Sequence, residues 1–210
     1  MRLETDPSNK TIQMRGPIGD FEGGISADDF RDCLKEHEGS DVTIHLDSEG
    51  GVVSEGLAMY NAIMQHDGEV TIHIDTLAAS IATVIACAAD KVIINSNAKF
   101  MVHRCWTMAM GNCKDFRSTA DIMEMMDKDI AATYVERTGK DEASIIAMMD
   151  AETWMDAEEA LAQGFVHEVN RIERKARAAS NVPEVKAFSP FAVSAKAKAT
   201  SRRMKLMLKK

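Results

Sequence analysis

Cysteine is scarce in this chain, four among 210 residues, and no two of them form a CxxC pair. That excludes a disulfide framework and a paired-cysteine zinc site, and it sets the expectation of a reducing compartment. A hydrophobic leader is missing, and the longest apolar runs fall well short of the roughly 18 residues a membrane span needs. Three signatures of cofactor chemistry are absent as well: no GxxxxGK(S/T) phosphate loop, no GxGxxG after a strand and no HExxH helix. Cys105 and Cys113, eight positions apart, read as small semi-buried thiols, not as ligands. The expectation is a soluble cytoplasmic protein that needs no metal, nucleotide or other cofactor.

What is present supports a packed core. Hydrophobic residues make up 45% of the chain and charged residues 28%, which disfavours global disorder, and the length suits one domain plus a tail. The net charge of −8 hides two halves of opposite sign. Residues 1–170 carry 13 Lys and Arg against 31 Asp and Glu, a net −18, whereas residues 171–210 carry 12 against 2, a net +10. The reading is an acidic folded body, 1–170, followed by a basic tail, 171–210, partly helical or flexible. An acidic body argues against nucleic-acid binding by the folded part. For the tail, DNA, an acidic protein and a neighbouring subunit all stay open as partners.

From Thr11 to Val169 strand-like and helix-like stretches alternate. Val42–Asp47 and Val70–Asp75 have β-branched residues at period two and read as strands; Lys91–Asn95 and Lys99–His103 are shorter candidates. Ser26, Ser54 and Asp156 each precede acidic residues, the pattern of an N-cap followed by first-turn carboxylates. Gly164 is a C-terminal stop, and the segment from about Lys114 to Arg137 is a long amphipathic helix. Strands alternating with helices in this order indicate an α/β domain.

Two strand ends stand out. The first strand leads into Ser48-Glu49-Gly50-Gly51, and the second into Thr76-Leu77-Ala78-Ala79-Ser80, ahead of an apolar helix from Ile81 to Ala89. In α/β sheets ligands bind just past the carboxyl ends of strands. A Gly-Gly pair lets backbone approach a ligand closely, and a serine at a helix start sits beside free amides that suit a developing anion. The same serine also suits an N-cap, and Gly-Gly also makes ordinary turns. His103 ends an apolar strand, where a core histidine is equally reasonable, and spacing singles out none of the six histidines.

Taken together, Asp47-Ser48-Glu49-Gly50-Gly51, Leu77-Ala78-Ala79-Ser80, Met101-Val102-His103 and Glu152-Thr153-Trp154-Met155-Asp156-Ala157-Glu158-Glu159-Ala160 resemble the motifs of the Clp-type serine proteases. The likeness is closest to their prophage-encoded branch, the head maturation proteases, and covers about Ile12 to Val169. It implies a ClpP/crotonase-like α/β spiral of repeated β-β-α units. It also implies Ser80 as nucleophile, His103 as its base, and the amides of Gly51 and Ile81 as oxyanion donors. Glu152 aligns with the family's aspartate, with Asp150 as its rival two residues upstream. Gly50, Val52 and Val53 would hold an extended peptide by strand addition along Gly50–Ser54. The implied assembly is a homo-oligomeric ring, and the implied substrates are peptide bonds of phage capsid, portal or scaffolding proteins, cut without ATP.

Departures from the family pattern fall around the site. Glu49 stands where proline is common, Thr76 where glycine is common, Arg104-Cys105-Trp106-Thr107 where a Gln-Pro and glycine-rich segment is usual, and Ala151 where housekeeping relatives have arginine. Three other functions are compatible with the sequence: a degradative protease fed by an ATP-driven unfoldase, a catalytically silent capsid scaffold, and a crotonase-type acyl-CoA enzyme.

Overall fold

A computed structural model describes residues 3–171. The expected basic helix after Arg171, and the tail as a whole, lie outside the described residues. Among them, β1 (Leu3–Asp6) and β2 (Thr11–Arg15) precede α1 (Ala27–Lys35), β3 (Val42–Ser48), α2 (Val53–Met64), β4 (Val70–Ala79) and α3 (Ile81–Cys87). Then come β5 (Lys91–Asn95), β6 (Lys99–Val102), α4 (Cys113–Thr138), α5 (Glu142–Asp150), β7 (Thr153–Asp156), α6 (Ala157–Ala162) and β8 (Glu168–Asn170). The strands form one sheet in the order β1-β2-β3-β4-β5-β8, parallel from β2 to β8, with β1 antiparallel at the edge. The mixed α/β architecture agrees with the expected class.

Alternation decides which face of the sheet is core. In β3, Val42, Ile44 and Leu46 are buried while Thr43, His45 and Asp47 stay half-exposed, and β4 repeats this with Val70, Ile72 and Ile74. The two strands pair in register, Val42 on Val70, Ile44 on Ile72 and His45 on His73, so their apolar residues form continuous rows. All seven residues of α3 are buried, as a helix that is apolar apart from one hydrogen-bonded threonine, Thr83, requires. Ser80 is the residue that leads into this helix.

Beyond Asp75, β4 runs four residues further than its β-branched run. Leu77, Ala78 and Ala79 pair in parallel with Lys99, Phe100 and Met101 of β6. Small residues of low strand propensity are held extended by that partner, because sheet propensity yields to context. β6 in turn pairs antiparallel with β7. The chain thereby brings Ser80, His103 and the Glu152 region to one end of one strand group.

Two of the three expected caps form. Ser26 accepts from Asp29 N, and Asp156 forms a reciprocal capping box with Glu159. Ser54 does not: α2 starts one residue earlier, with Val52 at the cap and no side-chain bond. The cause is the preceding loop, where Val52 N donates to Ile18 O at 2.9 Å and commits the chain to helix at once. Glu55 instead reaches Ala27 N, the first amide of α1, at 2.6 Å.

His37 is only 3% exposed, with Thr5 Oγ1 2.9 Å from its Nε2. Burial holds its imidazole below the ordinary histidine value. As pH falls toward the ordinary value, about 6.5, the unfolded chain takes up the proton first, so acid favours unfolding through this group. Urea melts at pH 7.5 and 5.5 should show lower stability at 5.5, by at most about 1.4 kcal/mol per pH unit from His37. His37→Gln should flatten that slope; an unchanged slope contradicts the assignment.

Candidate active site

Ser80 occupies the sharp turn between β4 and α3, at φ 57° and ψ −132°. For a residue with a Cβ this backbone costs on the order of 1–3 kcal/mol and persists only where its surroundings fix it. They do so at both ends: Ser80 N donates to Met101 O at 2.9 Å, and Ser80 O accepts from Thr83 N at 2.9 Å and Thr83 Oγ1 at 2.5 Å. Thr83 Oγ1 spends its single hydrogen on Ser80 O, so the buried Tyr134 hydroxyl, 2.6 Å away, donates to it. Burial raises the Tyr134 pKa and keeps that donor protonated.

The Ser80 side chain makes no capping bond. The N-cap alternative left open by the sequence is therefore not what this hydroxyl does. Its Oγ lies 2.8 Å from His103 Nε2. His103 follows β6 directly, and Met101, two residues before it, accepts from Ser80 N. One strand pairing thus sets both the nucleophile's backbone and the imidazole's position.

The glycine loop closes the other side. A Cβ built on Gly50 would lie 2.7 Å from Ser80 Cβ and 2.6 Å from Ala79 O, so this backbone sits directly against the serine turn. Gly51 bridges Ile18: Ile18 N donates to Gly50 O and Val52 N to Ile18 O, each at 2.9 Å. Alternate groups of an extended strand point to opposite sides. The bridge uses Gly50 and Val52, and among the described residues Gly51 N donates to no partner. Val53 and Ser54 belong to α2, and Gly50 and Val52 spend their main-chain groups on Ile18, Ser48 and Gly56, so of the expected span Gly50–Ser54 only Gly51 keeps main-chain groups for an extended peptide.

Gly50, Gly51, Val52, Val53, Ser80 and His103 line one cavity of about 760 Å³. Met101, Trp106, Met108, Met123 and Met126 add an apolar wall. The segment after His103 is anchored to α4. Asp127, only 4% exposed, accepts from Cys105 N at 2.8 Å and Arg104 Nη1 at 3.2 Å, and Arg104 Nε reaches Asp150 at 2.5 Å. Burial, with the Asp127 carboxylate as a lesser cause, pushes the Cys105 thiol up to about 11, so it is no nucleophile near neutral pH.

The third expected residue is not in place. Glu152 Oε1 accepts from Trp154 Nε1 at 3.2 Å, and Asp150 is held by Arg104, whose guanidinium lowers its pKa. Among the described residues no hydrogen bond joins His103 Nδ1 to a carboxylate. Ile81 N leads off α3 beside Gly50. Sequence reasoning missed Asp127 and Tyr134 as supports. The legible signal for Asp127 was its place in the helical stripe Met123, Asp127, Ile130, Tyr134, where an acid among apolar residues needs a partner.

Comparison with known proteins bears on the same residues. The chain is 29% identical over 133 residues to the ATP-dependent Clp protease proteolytic subunit of Bacteroides fragilis, covering 62% of this chain and 64% of that one. The chain therefore spans a little under two thirds of that curated relative's length. The profile of the Clp protease family matches residues 32–173, a stretch that contains the glycine loop, Ser80, His103 and Glu152, and the chain belongs to the Clp protease family.

Proposed function

We propose that the chain is a serine endopeptidase. The observation that carries this reading is the 2.8 Å contact between Ser80 Oγ and His103 Nε2, made by a serine that caps nothing. A serine hydroxyl is a weak nucleophile until a neutral imidazole accepts its proton. As Oγ bonds to the peptide carbonyl carbon, the proton passes to His103 Nε2 and the carbonyl oxygen becomes an anion. The amides of Gly51 and Ile81 receive that anion. Collapse breaks the C–N bond, His103 returns the proton to the leaving amine, and water repeats the sequence on the acyl-enzyme. The Gly51 carbonyl, to which no bond is donated among the described residues, takes a main-chain amide of the extended substrate.

Glu152 is the proposed third member. Freeing it costs one hydrogen bond from a neutral indole, whereas freeing Asp150 breaks a charge-assisted bond to Arg104, a class roughly twice as strong. Glu152→Gln should lower kcat about 100-fold and Asp150→Asn less than about threefold, since loss of the orienting anion misdirects the imidazole. Peptide kinetics on both variants decide this; the reverse order would make Asp150 the partner.

The proposed biological role is ATP-independent processing of phage capsid, portal or scaffolding proteins by a homo-oligomeric ring in the host cytoplasm or the phage prohead. The four-motif likeness to head maturation proteases supports it. A degradative role is the rival; the Bacteroides fragilis relative bears the name of an ATP-dependent protease's proteolytic subunit. Purified protein should cut unassembled capsid-protein precursors at defined sites without nucleotide. Destruction of folded substrates only on addition of a host unfoldase and ATP would favour the rival.

A further inference from the structure

The half-exposed face of the sheet carries a group of residues that the peptidase reading leaves unused. β3 and β4 contain nearly the same segment, Val-Thr-Ile-His-Leu-Asp and Val-Thr-Ile-His-Ile-Asp, paired in register with His45 opposite His73. Period two puts both histidines, and Asp75 two residues after His73, on the same face. Their Nδ1 atoms lie 3.0 and 3.1 Å from one oxygen, Asp75 Oδ1. The rings are 5.2 Å apart between centroids. One donor atom from each of the three residues lies within 4.8 Å of the other two.

We infer that His45, His73 and Asp75 bind a divalent transition-metal ion, zinc being the best fit. Two imidazole nitrogens and one carboxylate oxygen are the donors that suit zinc. Zinc bonds of 2.0–2.1 Å in a tetrahedron separate neighbouring donors by about 3.3 Å, close to the two N···O separations present. The three side chains are 17–28% exposed, so an ion can enter and a water can fill the fourth position.

The ion replaces the two protons now shared between each Nδ1 and Asp75 Oδ1. Each neutral imidazole then carries its proton on Nε2. For His73 that nitrogen lies 3.4 Å from Asn170 Nδ2, which donates to Asn95 Oδ1 at 2.9 Å, so the metal-bound state requires the Asn170 amide to move aside. Arg15 Nη2 holds the other carboxylate oxygen, Asp75 Oδ2, at 3.2 Å, and Asn95 Nδ2 donates to the Asp75 carbonyl at 2.9 Å. Asp75 is thereby oriented with Oδ1 left for the ion. Such an ion would brace β3 against β4, the strands that end in the glycine loop and in Ser80, without entering the reaction.

Titrating the metal-free full-length chain with Zn2+ by calorimetry tests this. Residues 172–210 contain no histidine or cysteine, so the tail offers no competing soft ligand. One ion should bind per chain. His45→Ala, His73→Ala and Asp75→Asn should each weaken binding at least about tenfold, and His103→Ala should leave it unchanged. Co2+ added to the unmodified chain should give the visible bands of a four- or five-coordinate site, a readout that depends on no variant folding. No binding, binding that survives His73→Ala, binding lost in His103→Ala, or octahedral Co2+ bands alone would each overturn the inference.

Discussion

Replacing Ser80 with alanine should abolish peptide-bond cleavage, a loss on the order of 10^6 in kcat if the enzyme matches other serine proteases stripped of their nucleophile. Labelling of the chain by a fluorophosphonate probe should disappear with it. The fold should survive, because the hydroxyl makes one hydrogen bond, to His103, and caps no helix. What fixes the turn is the Ser80 backbone, through Met101 O and Thr83, and alanine keeps that backbone. Circular dichroism and gel filtration should therefore match the parent. Cleavage at the parental rate by a pure variant contradicts the assignment.

The second large effect is expected at Gly51, where stability and activity should fall together. Its φ is 152°, and an added Cβ would sit 2.0 Å from Ile18 O and 2.9 Å from Ile18 N. Those are backbone atoms of a bridged segment, so no side chain can swing away to make room. Gly51→Ala should cost about 2–4 kcal/mol from overpacking and backbone strain. Loop displacement should also move the proposed oxyanion amide and lower kcat by about 10^2 to 10^3-fold. Gly39 is the control: its φ is 70°, nothing lies within 4 Å of its added Cβ, and it is remote in sequence from the site. Gly39→Ala should cost stability only and leave kcat unchanged. Full activity in Gly51→Ala at a temperature where it stays folded would remove Gly51 from the mechanism.

The strands of the central sheet were legible wherever β-branched residues alternate, as in β3 and β4, because period-two burial writes itself into composition. The last three residues of β4 were not, since Leu77-Ala78-Ala79 have weak strand preference and are extended only by pairing with β6. β7 and β8, of four and three residues, carry too few positions for a period. α5 did have a signal, Asp141 accepting from Ser144 N ahead of Glu142, in the same style as the caps that were read.

For the site, spacing alone left Ser80 between capping and chemistry. Resemblance to a family supplied the pairing with His103, and the structure supplies its geometry. The carboxylate was the weakest inference because alignment fixes a position along the chain, not a side-chain direction. Glu152 has φ 46° and turns toward Trp154. The His45–His73–Asp75 group was hidden for the opposite reason: each strand read alone shows a histidine between apolar residues, and only parallel pairing in register joins the two.

The central claim is that the Ser80 hydroxyl attacks a carbonyl whose oxygen turns toward the amides of Gly51 and Ile81. A crystal structure of the protein after reaction with a peptidyl boronic acid tests it most directly. The account predicts boron bonded to Ser80 Oγ and one boronate oxygen within about 2.7–3.1 Å of both amide nitrogens. Boron on another residue, or a boronate oxygen facing away from both amides, would contradict it.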